Sequence, residues 1–152
     1  MISLKKILVP TDFSEQSVKA IRYGTELATK FGAELHLLHA VETLPIMYGE
    51  GGAYLLPDTV AEVVAATVKH LDELKIDSAD ELQVIRKVVQ GHPFVEIVRY
   101  AKNNATDLIV VGTHGRGAVA HMLLGSVAEK VVRKASCPVL VVRDEEHDFI
   151  MP

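Results

Sequence analysis

The pattern of apolar and polar positions divides this chain into alternating strands and helices. Short apolar runs, typical of strands in a buried sheet, occupy five segments: 7–9, 35–41, 82–89, 108–111 and 139–142. Four segments between them carry apolar residues at helical spacing and begin near residues 14, 57, 93 and 126. Five strands alternating with four helices predict an α/β fold with a largely parallel sheet.

The predicted helix starts are marked by side chains that can cap them. Thr59 with Glu62, and Ser126 with Glu129, have the spacing of a capping box, in which two side chains satisfy backbone N–H groups at the helix start. Thr11, Asp12 and Ser14 are side chains that can cap the first helix, and Asp12 is a strong N-cap candidate among them. One apolar stripe of the second helix is predicted to face the core: Val60, Val63, Val64, Val68, Leu71 and Leu74.

The chain is predicted to form a single domain over residues 1–152, with an ordered core at about 4–143. No linker, repeat or low-complexity run interrupts it. Residues 42–56 lack periodicity and contain one proline and three glycines. This long loop is open to three interpretations: a lid over a ligand, a surface for a partner, or a mere connection. Residues 144–152 form a polar tail that we expect to fray.

Composition and charge narrow the classes of function. The formal net charge is −4 and the cationic residues are scattered, which argues against a nucleic-acid partner. No apolar run approaches the length of a membrane span, and no secretory signal is visible. The single cysteine, Cys137, cannot form an internal disulfide, and its place at the start of an apolar strand favours a structural role. We therefore expect a cytoplasmic protein without membrane contact.

The most informative stretch joins a strand, a glycine-rich loop and a helix start. The apolar run 108–111 is followed by the spacing Gly112-x2-Gly115-x9-Gly125-Ser126. Backbone N–H groups of a first helical turn lack partners within the helix and favour phosphate, and glycines let a ligand come close. Neither the Walker nor the Rossmann glycine pattern is present. The stretch predicts an anion site; the plainer alternative is a structural turn before a capped helix.

This spacing resembles the ATP-binding signature of the universal stress protein family. The resemblance extends to further segments of the chain: 7–12, 40–41, 107–112 and 136–139. It implies an open five-stranded parallel sheet in the order 3-2-1-4-5, with helices on both faces, of the Rossmann-like adenine nucleotide alpha hydrolase-like type. In that order the carboxyl ends of strands one and four meet at a topological switch point, where ligands of open α/β sheets bind.

The resemblance also implies a set of ligand-binding residues, with ATP as the ligand and Mg²⁺ able to accompany it. The adenosine part would contact Pro10, Thr11, Asp12 and Val41. The phosphates would contact Gly112, Thr113, Gly115, Arg116, Gly117, Gly125, Ser126 and Val127, chiefly through backbone N–H groups. A ribose hydroxyl is the expected partner of Asp12, alongside its possible capping role. Arg116 would pair with phosphate oxygens, or else be a solvated loop residue.

Catalytic and metal-binding alternatives have less support in the sequence. His114 could serve as a general base, but no nucleophile or carboxylate at a telling spacing accompanies it. His36 and His39 lie three apart on a strand and so face opposite ways, and no Cys/His cluster has the spacing of a zinc site. We therefore predict neither a catalytic residue nor a protein metal site.

Three hypotheses about function remain for the whole chain. The leading one is an ATP-binding regulatory module of a stress response, a binding protein rather than an enzyme. The second is slow ATP hydrolysis, although the chain has no P-loop lysine. The third is a nucleotide-independent dimeric scaffold or chaperone-like protein. The resemblance implies a homodimer in which the final strand, 138–143, pairs antiparallel with its copy, which would cover an apolar sheet edge.

Overall fold

The computed structural model describes residues 1–42, 57–76, 82–113 and 124–143, and within these ranges it contains the predicted alternation of strands and helices. The strands are β1 (Lys6–Pro10), β2 (Glu34–Val41), β3 (Val84–Gln90), β4 (Leu108–Gly112) and β5 (Val139–Val142). The helices are α1 (Glu15–Phe31), α2 (Pro57–Glu73), α3 (Pro93–Asn103) and α4 (Ser126–Lys134). The predicted tail 144–152, and the predicted loop 42–56 apart from its first residue, lie outside the described residues.

The five strands form one parallel sheet in the order β3-β2-β1-β4-β5, which confirms the expected order. The central strand is β1, where Ile7 lies opposite Leu35 of β2 and Leu108 of β4. Its apolar run is fully buried because a central parallel strand is covered on both faces. The edge strands are β3 and β5, as the expected sheet order implies.

The core has two layers, one on each face of the sheet. Side chains alternate along a strand, so Ile7 and Val9 pack into the layer under α1 and α2, while Leu8 packs into the layer under α3 and α4. Helices therefore cover both faces, as expected. Cys137 is half-buried at the edge of the second layer, and burial together with the nearby Asp107 raises the pKa of its thiol. This environment keeps the thiol protonated and fits a structural role.

Both predicted capping boxes are wrong. The N-cap of α4 is Gly125, so Ser126 is already the first helical residue and its side chain does not cap the helix. In α2 the helix begins at Pro57, which puts Thr59 inside the first turn rather than at the cap. A capping box needs the Ser or Thr at a non-helical residue before the first turn, and both side chains stand too late in the chain for that.

The apolar stripe predicted for α2 is only partly buried. Leu71 is fully buried, but Val63 and Val68 are 47% and 41% exposed. Residues five apart on a helix differ by about 140° around its axis, so these two valines flank the contact face instead of lying on it. No helix in the described part of the chain has both the length and the apolar content that crossing a bilayer requires.

Candidate functional site

The candidate site lies at the carboxyl ends of β1 and β4, two adjacent strands at the centre of the sheet. Connections from β1 lead to one face and connections from β4 to the other, which leaves a crevice at this switch point. β1 ends at Pro10 and β4 ends at Gly112, so the loops that begin at Thr11 and Thr113 leave the sheet side by side. The two predicted motifs are therefore neighbours in the fold.

The loop after β1 is fixed by a short network of hydrogen bonds. The Thr11 N–H donates to the Leu38 carbonyl at 2.9 Å, and the Thr11 hydroxyl lies 2.9 Å from that of Ser17. One carboxylate oxygen of Asp12 accepts from the Ser14 N–H at 3.0 Å and also from the Ser14 hydroxyl. The N-cap of α1 is Ser14, whose hydroxyl accepts from the Ser17 N–H. The predicted N-cap role of Asp12 is therefore wrong; its carboxylate holds the capping residue instead.

Phe13 anchors the same loop through its ring. Its backbone has φ of 64°, in the left-handed region that bulky residues rarely adopt. The ring stacks between those of His39 and His70, with centroid distances of 4.7 and 4.1 Å. His39 Nδ1 donates to the Thr11 carbonyl at 2.7 Å, since that oxygen can only accept. The left-handed backbone costs about 1–2 kcal/mol and each stack contributes about 0.5–1.5 kcal/mol, so the two stacks can offset the strain.

Sequence reasoning missed this aromatic cluster. Phe13, His39 and His70 come from a loop, a strand and a helix that are far apart in the chain. No spacing rule joins residues that meet only after the sheet and its helices have packed. A bulky residue in a left-handed conformation likewise leaves no mark in the sequence.

Gly112 is needed for packing within the protein. A Cβ atom at this position would lie 2.9 Å from the Gln16 carbonyl oxygen and 3.0 Å from its carbon, both in the first turn of α1. Backbone atoms cannot move aside as the end of a side chain can. The first glycine of the motif thus lets α1 approach β4 closely and shapes the crevice from the protein side.

The ends of the glycine-rich loop are tied to each other. The Thr113 N–H donates to the Val142 carbonyl at 3.0 Å, and the Gly125 N–H donates to the Thr113 carbonyl at 2.6 Å. The start of α4 is therefore held at the end of β4. Because the N–H groups of Thr113 and Gly125 are engaged, they are not available to a phosphate. Gly115, Arg116 and Gly117, together with His114, lie outside the described residues.

The N-terminus of α4 has the character of an anion site. Its N-cap, Gly125, has no side chain to accept from the first-turn N–H groups of Ser126, Val127 and Ala128. The first backbone bond of the helix runs from the Glu129 N–H to the Gly125 carbonyl at 2.9 Å. Three outward donors and the positive end of the helix dipole favour a negatively charged ligand.

Gly125 and Gly112 differ in the reason for a glycine at that position. Its backbone angles, φ of −67° and ψ of 153°, are open to any residue. The conformation at this position therefore does not require glycine. Because Gly125 has no side chain, another molecule could approach the N–H donors at this exposed end of the helix.

The remaining predicted residues line the neighbouring strand ends. Pro10 is the last residue of β1 and lies opposite Leu38 of β2. Val41 ends β2 three residues beyond that pair and is half-buried, and its carbonyl accepts from the Gly91 N–H at 3.0 Å. Both residues are at the same edge of the sheet as Asp12 and Thr113.

A groove of about 420 Å³ lies elsewhere, between α1 and the segment after α2. Its walls include Val18, Ile21, Leu74 and Ile76, and it contains none of the predicted ligand-binding residues. The groove lies along the flank of the helical layer, whereas the crevice opens at the strand ends. We therefore assign the candidate site to the crevice.

His36 and His39 face opposite sides of the sheet, as predicted. His36 is buried with Nδ1 at 2.9 Å from the Tyr100 hydroxyl and Nε2 at 3.2 Å from a Glu34 carboxylate oxygen. Burial and, secondarily, Glu34 raise the pKa of Tyr100, so its hydroxyl keeps its proton. Among the described residues no group of three histidine, cysteine or acidic side chains is arranged to hold a metal ion.

Comparison with known proteins identifies the family of this chain. The model of the universal stress protein family matches residues 3–143, nearly the whole chain. The chain belongs to the universal stress protein family. The resemblance inferred from the glycine spacing and from the strand sequences is thereby confirmed.

Two relatives of this universal stress protein come from Methanocaldococcus jannaschii. Universal stress protein MJ0531 is 35% identical over 91% of this chain and 82% of its own length. Universal stress protein MJ0577 is 33% identical over 93% of this chain and 96% of its own. The solved structure of MJ0577 is similar to the present one with a TM-score of 0.82 at 31% identity, and the match covers 96% of this chain and all of the other.

A third comparison concerns a universal stress protein solved in complex with cAMP. It shares the fold with a TM-score of 0.64 at 24% identity, over 93% of this chain and 98% of its own. The overall fold is thus common to these proteins.

Proposed function

We propose that this universal stress protein binds an adenine nucleotide, ATP in particular, across the carboxyl ends of β1 and β4. Its nucleotide state would regulate a protein partner in the cytoplasm, without nucleic acid or a membrane as partner. The observation that carries the proposal is the start of α4. A helix N-terminus that no described side chain caps, with a glycine that its own backbone angles do not require, lies at the topological switch point of the sheet.

The phosphate side of the proposed site rests on donors from α4. The N–H groups of Ser126 and Val127 stand at the exposed end of the helix, and the Ser126 hydroxyl adds a further donor. Gly112 and Thr113 contribute by fixing the end of β4 and the start of the loop. The Gln16 backbone fills the space beside Gly112, and the Thr113 N–H is engaged by the Val142 carbonyl. Gly115, Arg116 and Gly117 complete the proposed set.

The adenosine side of the proposed site rests on the loop after β1. We assign the Asp12 carboxylate, which also accepts from the Ser14 N–H, to a ribose hydroxyl of the ligand. Pro10, Thr11 and Val41 provide the neighbouring wall at the strand ends. Mg²⁺ would be held by phosphate oxygens and water, since this ion keeps several waters and takes few protein ligands.

The proposal is tested by direct binding to Gly125→Val. The added side chain is compatible with the backbone angles but would occupy the approach to the α4 donors, so we expect ATP binding to be lost. Purified wild-type protein is first denatured and its released nucleotide identified; stripped protein is then titrated with ATP calorimetrically. Ser136→Val, which places the same side chain at an exposed position beyond the other end of α4, is the control.

Two results would contradict the proposal. One is a wild-type protein that neither carries a nucleotide nor binds ATP at millimolar concentration. The other is a folded Gly125→Val variant with unchanged affinity, because the donors of α4 would then not hold the ligand. Loss of binding in Gly125→Val with retention in Ser136→Val supports the site.

We also propose a homodimer in which segment 138–143 pairs antiparallel with its copy. β5 is an edge strand, and Leu140 on it is 37% exposed. An apolar edge strand has unpaired backbone groups and attracts another strand unless it is covered. A second copy of the same strand would satisfy the backbone groups and bury the leucine.

A further inference from the structure

Three aromatic rings from three different elements form one stack beside the proposed site. The ring of Phe13 lies between His39 of β2 and His70 of α2, and the ring planes are inclined by 29° and 9° respectively. His70 is otherwise an exposed residue near the end of α2. Through this stack α2 contacts the loop after β1.

The middle ring of the stack belongs to Phe13, the residue next to Asp12. Phe13 has a left-handed backbone, which an aromatic residue adopts only when its surroundings hold it there. Its N–H is held by the Thr11 hydroxyl at 3.0 Å and its ring by the two imidazoles. Release of the ring would let the backbone relax, and the Asp12 carboxylate would move with it.

We infer that the His70–Phe13–His39 stack is a positioning device that couples α2 to the nucleotide crevice. The inference rests on the proposed function and adds a route for its regulation. His70 touches the loop through Phe13 and is a positioning residue, not a ligand-binding one. Coupling of this kind is reciprocal: a change that moves α2 alters nucleotide affinity, and a bound nucleotide stabilises the stack.

The test removes and then restores the ring on α2. His70→Ala deletes one of the two stacks, and we expect the dissociation constant for ATP to rise about two- to tenfold, the range that loss of one aromatic pair predicts. His70→Phe restores a ring at the same position and is expected to restore the affinity. Lys69→Ala, a change at the neighbouring exposed residue of α2, is the control and should leave the affinity within about twofold of wild type.

A second readout follows the loop in the absence of nucleotide. Amide hydrogen exchange at Phe13 and Ser14 should accelerate in His70→Ala by a similar factor and return to the wild-type rate in His70→Phe. Unchanged affinity together with unchanged exchange in His70→Ala would overturn the inference. So would a loss that His70→Phe does not restore, because the imidazole itself and not the stack would then matter.

The two proposals can fail separately. If wild-type protein binds no adenine nucleotide, the proposed function fails at that measurement. Exchange at Phe13 and Ser14 still decides whether the stack orders the loop. If wild-type protein binds ATP but His70→Ala changes neither readout, the function stands and the coupling does not.

Discussion

At the scale of the residue, Asp12 illustrates how one side chain can serve both the fold and a ligand. Its carboxylate holds Ser14, which in turn caps α1. The sequence offered a choice between capping and ligand binding for Asp12. The hydrogen bonds around Asp12 show that it supports the cap indirectly, through Ser14, and its contact with a ligand is a proposal.

Replacement of Asp12 separates these roles. Asp12→Ala should weaken ATP binding by about 1–3 kcal/mol, the scale for losing a hydrogen bond to a charged group. Asp12→Asn keeps an oxygen that can accept from the Ser14 N–H, so it should preserve the loop while removing the charge. Calorimetric titration gives the affinities and denaturant unfolding gives the stabilities of both variants. Full affinity in folded Asp12→Ala would show that the carboxylate does not contact the ligand.

At the scale of the element, the close approach of α1 to β4 decides the shape of the crevice. Gln16 in the first turn of α1 presents its backbone to Gly112 at the end of β4. The helix can start there because Ser14 caps it, and the helix ends where Gly32 adopts a left-handed conformation with φ of 62°. Two strand ends and two helix starts thus meet at one point of the fold.

Alanine at the two glycines distinguishes packing from ligand access. Gly112→Ala should lower the free energy of unfolding by about 1–3 kcal/mol, because its Cβ would press against the backbone of Gln16. Gly125→Ala should lower it by less, about 0.5–1 kcal/mol, because its backbone angles suit alanine although alanine is a poorer N-cap than glycine. Urea denaturation of both variants and the wild type measures the difference. Equal stability of Gly112→Ala and wild type would mean that α1 can shift away from β4 without cost.

At the scale of the whole molecule, the exposed edge at β5 bears on assembly. β4 protects only one side of this strand, and the described residues place no other strand beside it. The other edge strand, β3, carries Arg86, whose guanidinium donates to the Leu71 and Leu74 carbonyls at 3.0 Å. The two edges therefore differ in polarity, and β5 is the apolar one.

The proposed dimer is tested by a charge on that edge. We expect wild-type protein to have twice the monomer mass in light scattering at micromolar concentration, and Leu140→Lys to have the monomer mass, because a buried unpaired charge would oppose strand pairing. Val132→Lys introduces the same charge at an exposed valine of α4 and should remain dimeric. A monomeric wild-type protein, or a dimeric Leu140→Lys variant, would place any interface elsewhere.

The sequence by itself determined the element types and the glycine spacing that resembles the family signature. These features are local, because apolar periodicity and turn residues act over a few neighbouring positions. The sheet order came from the resemblance to a family, since the chain's own periodicity does not say which strands pair.

Tertiary structure alone decided which atoms of these motifs are engaged. Gly112 faces Gln16, the Thr113 N–H is taken by Val142, and the Asp12 carboxylate supports the cap of α1 through Ser14. Each fact depends on a contact between segments or on a shift of one or two residues in a helix start. Such contacts are set by how helices and strands pack, and no local pattern encodes them. The stack on Phe13 belongs to the same class, because its three rings meet only in the folded chain.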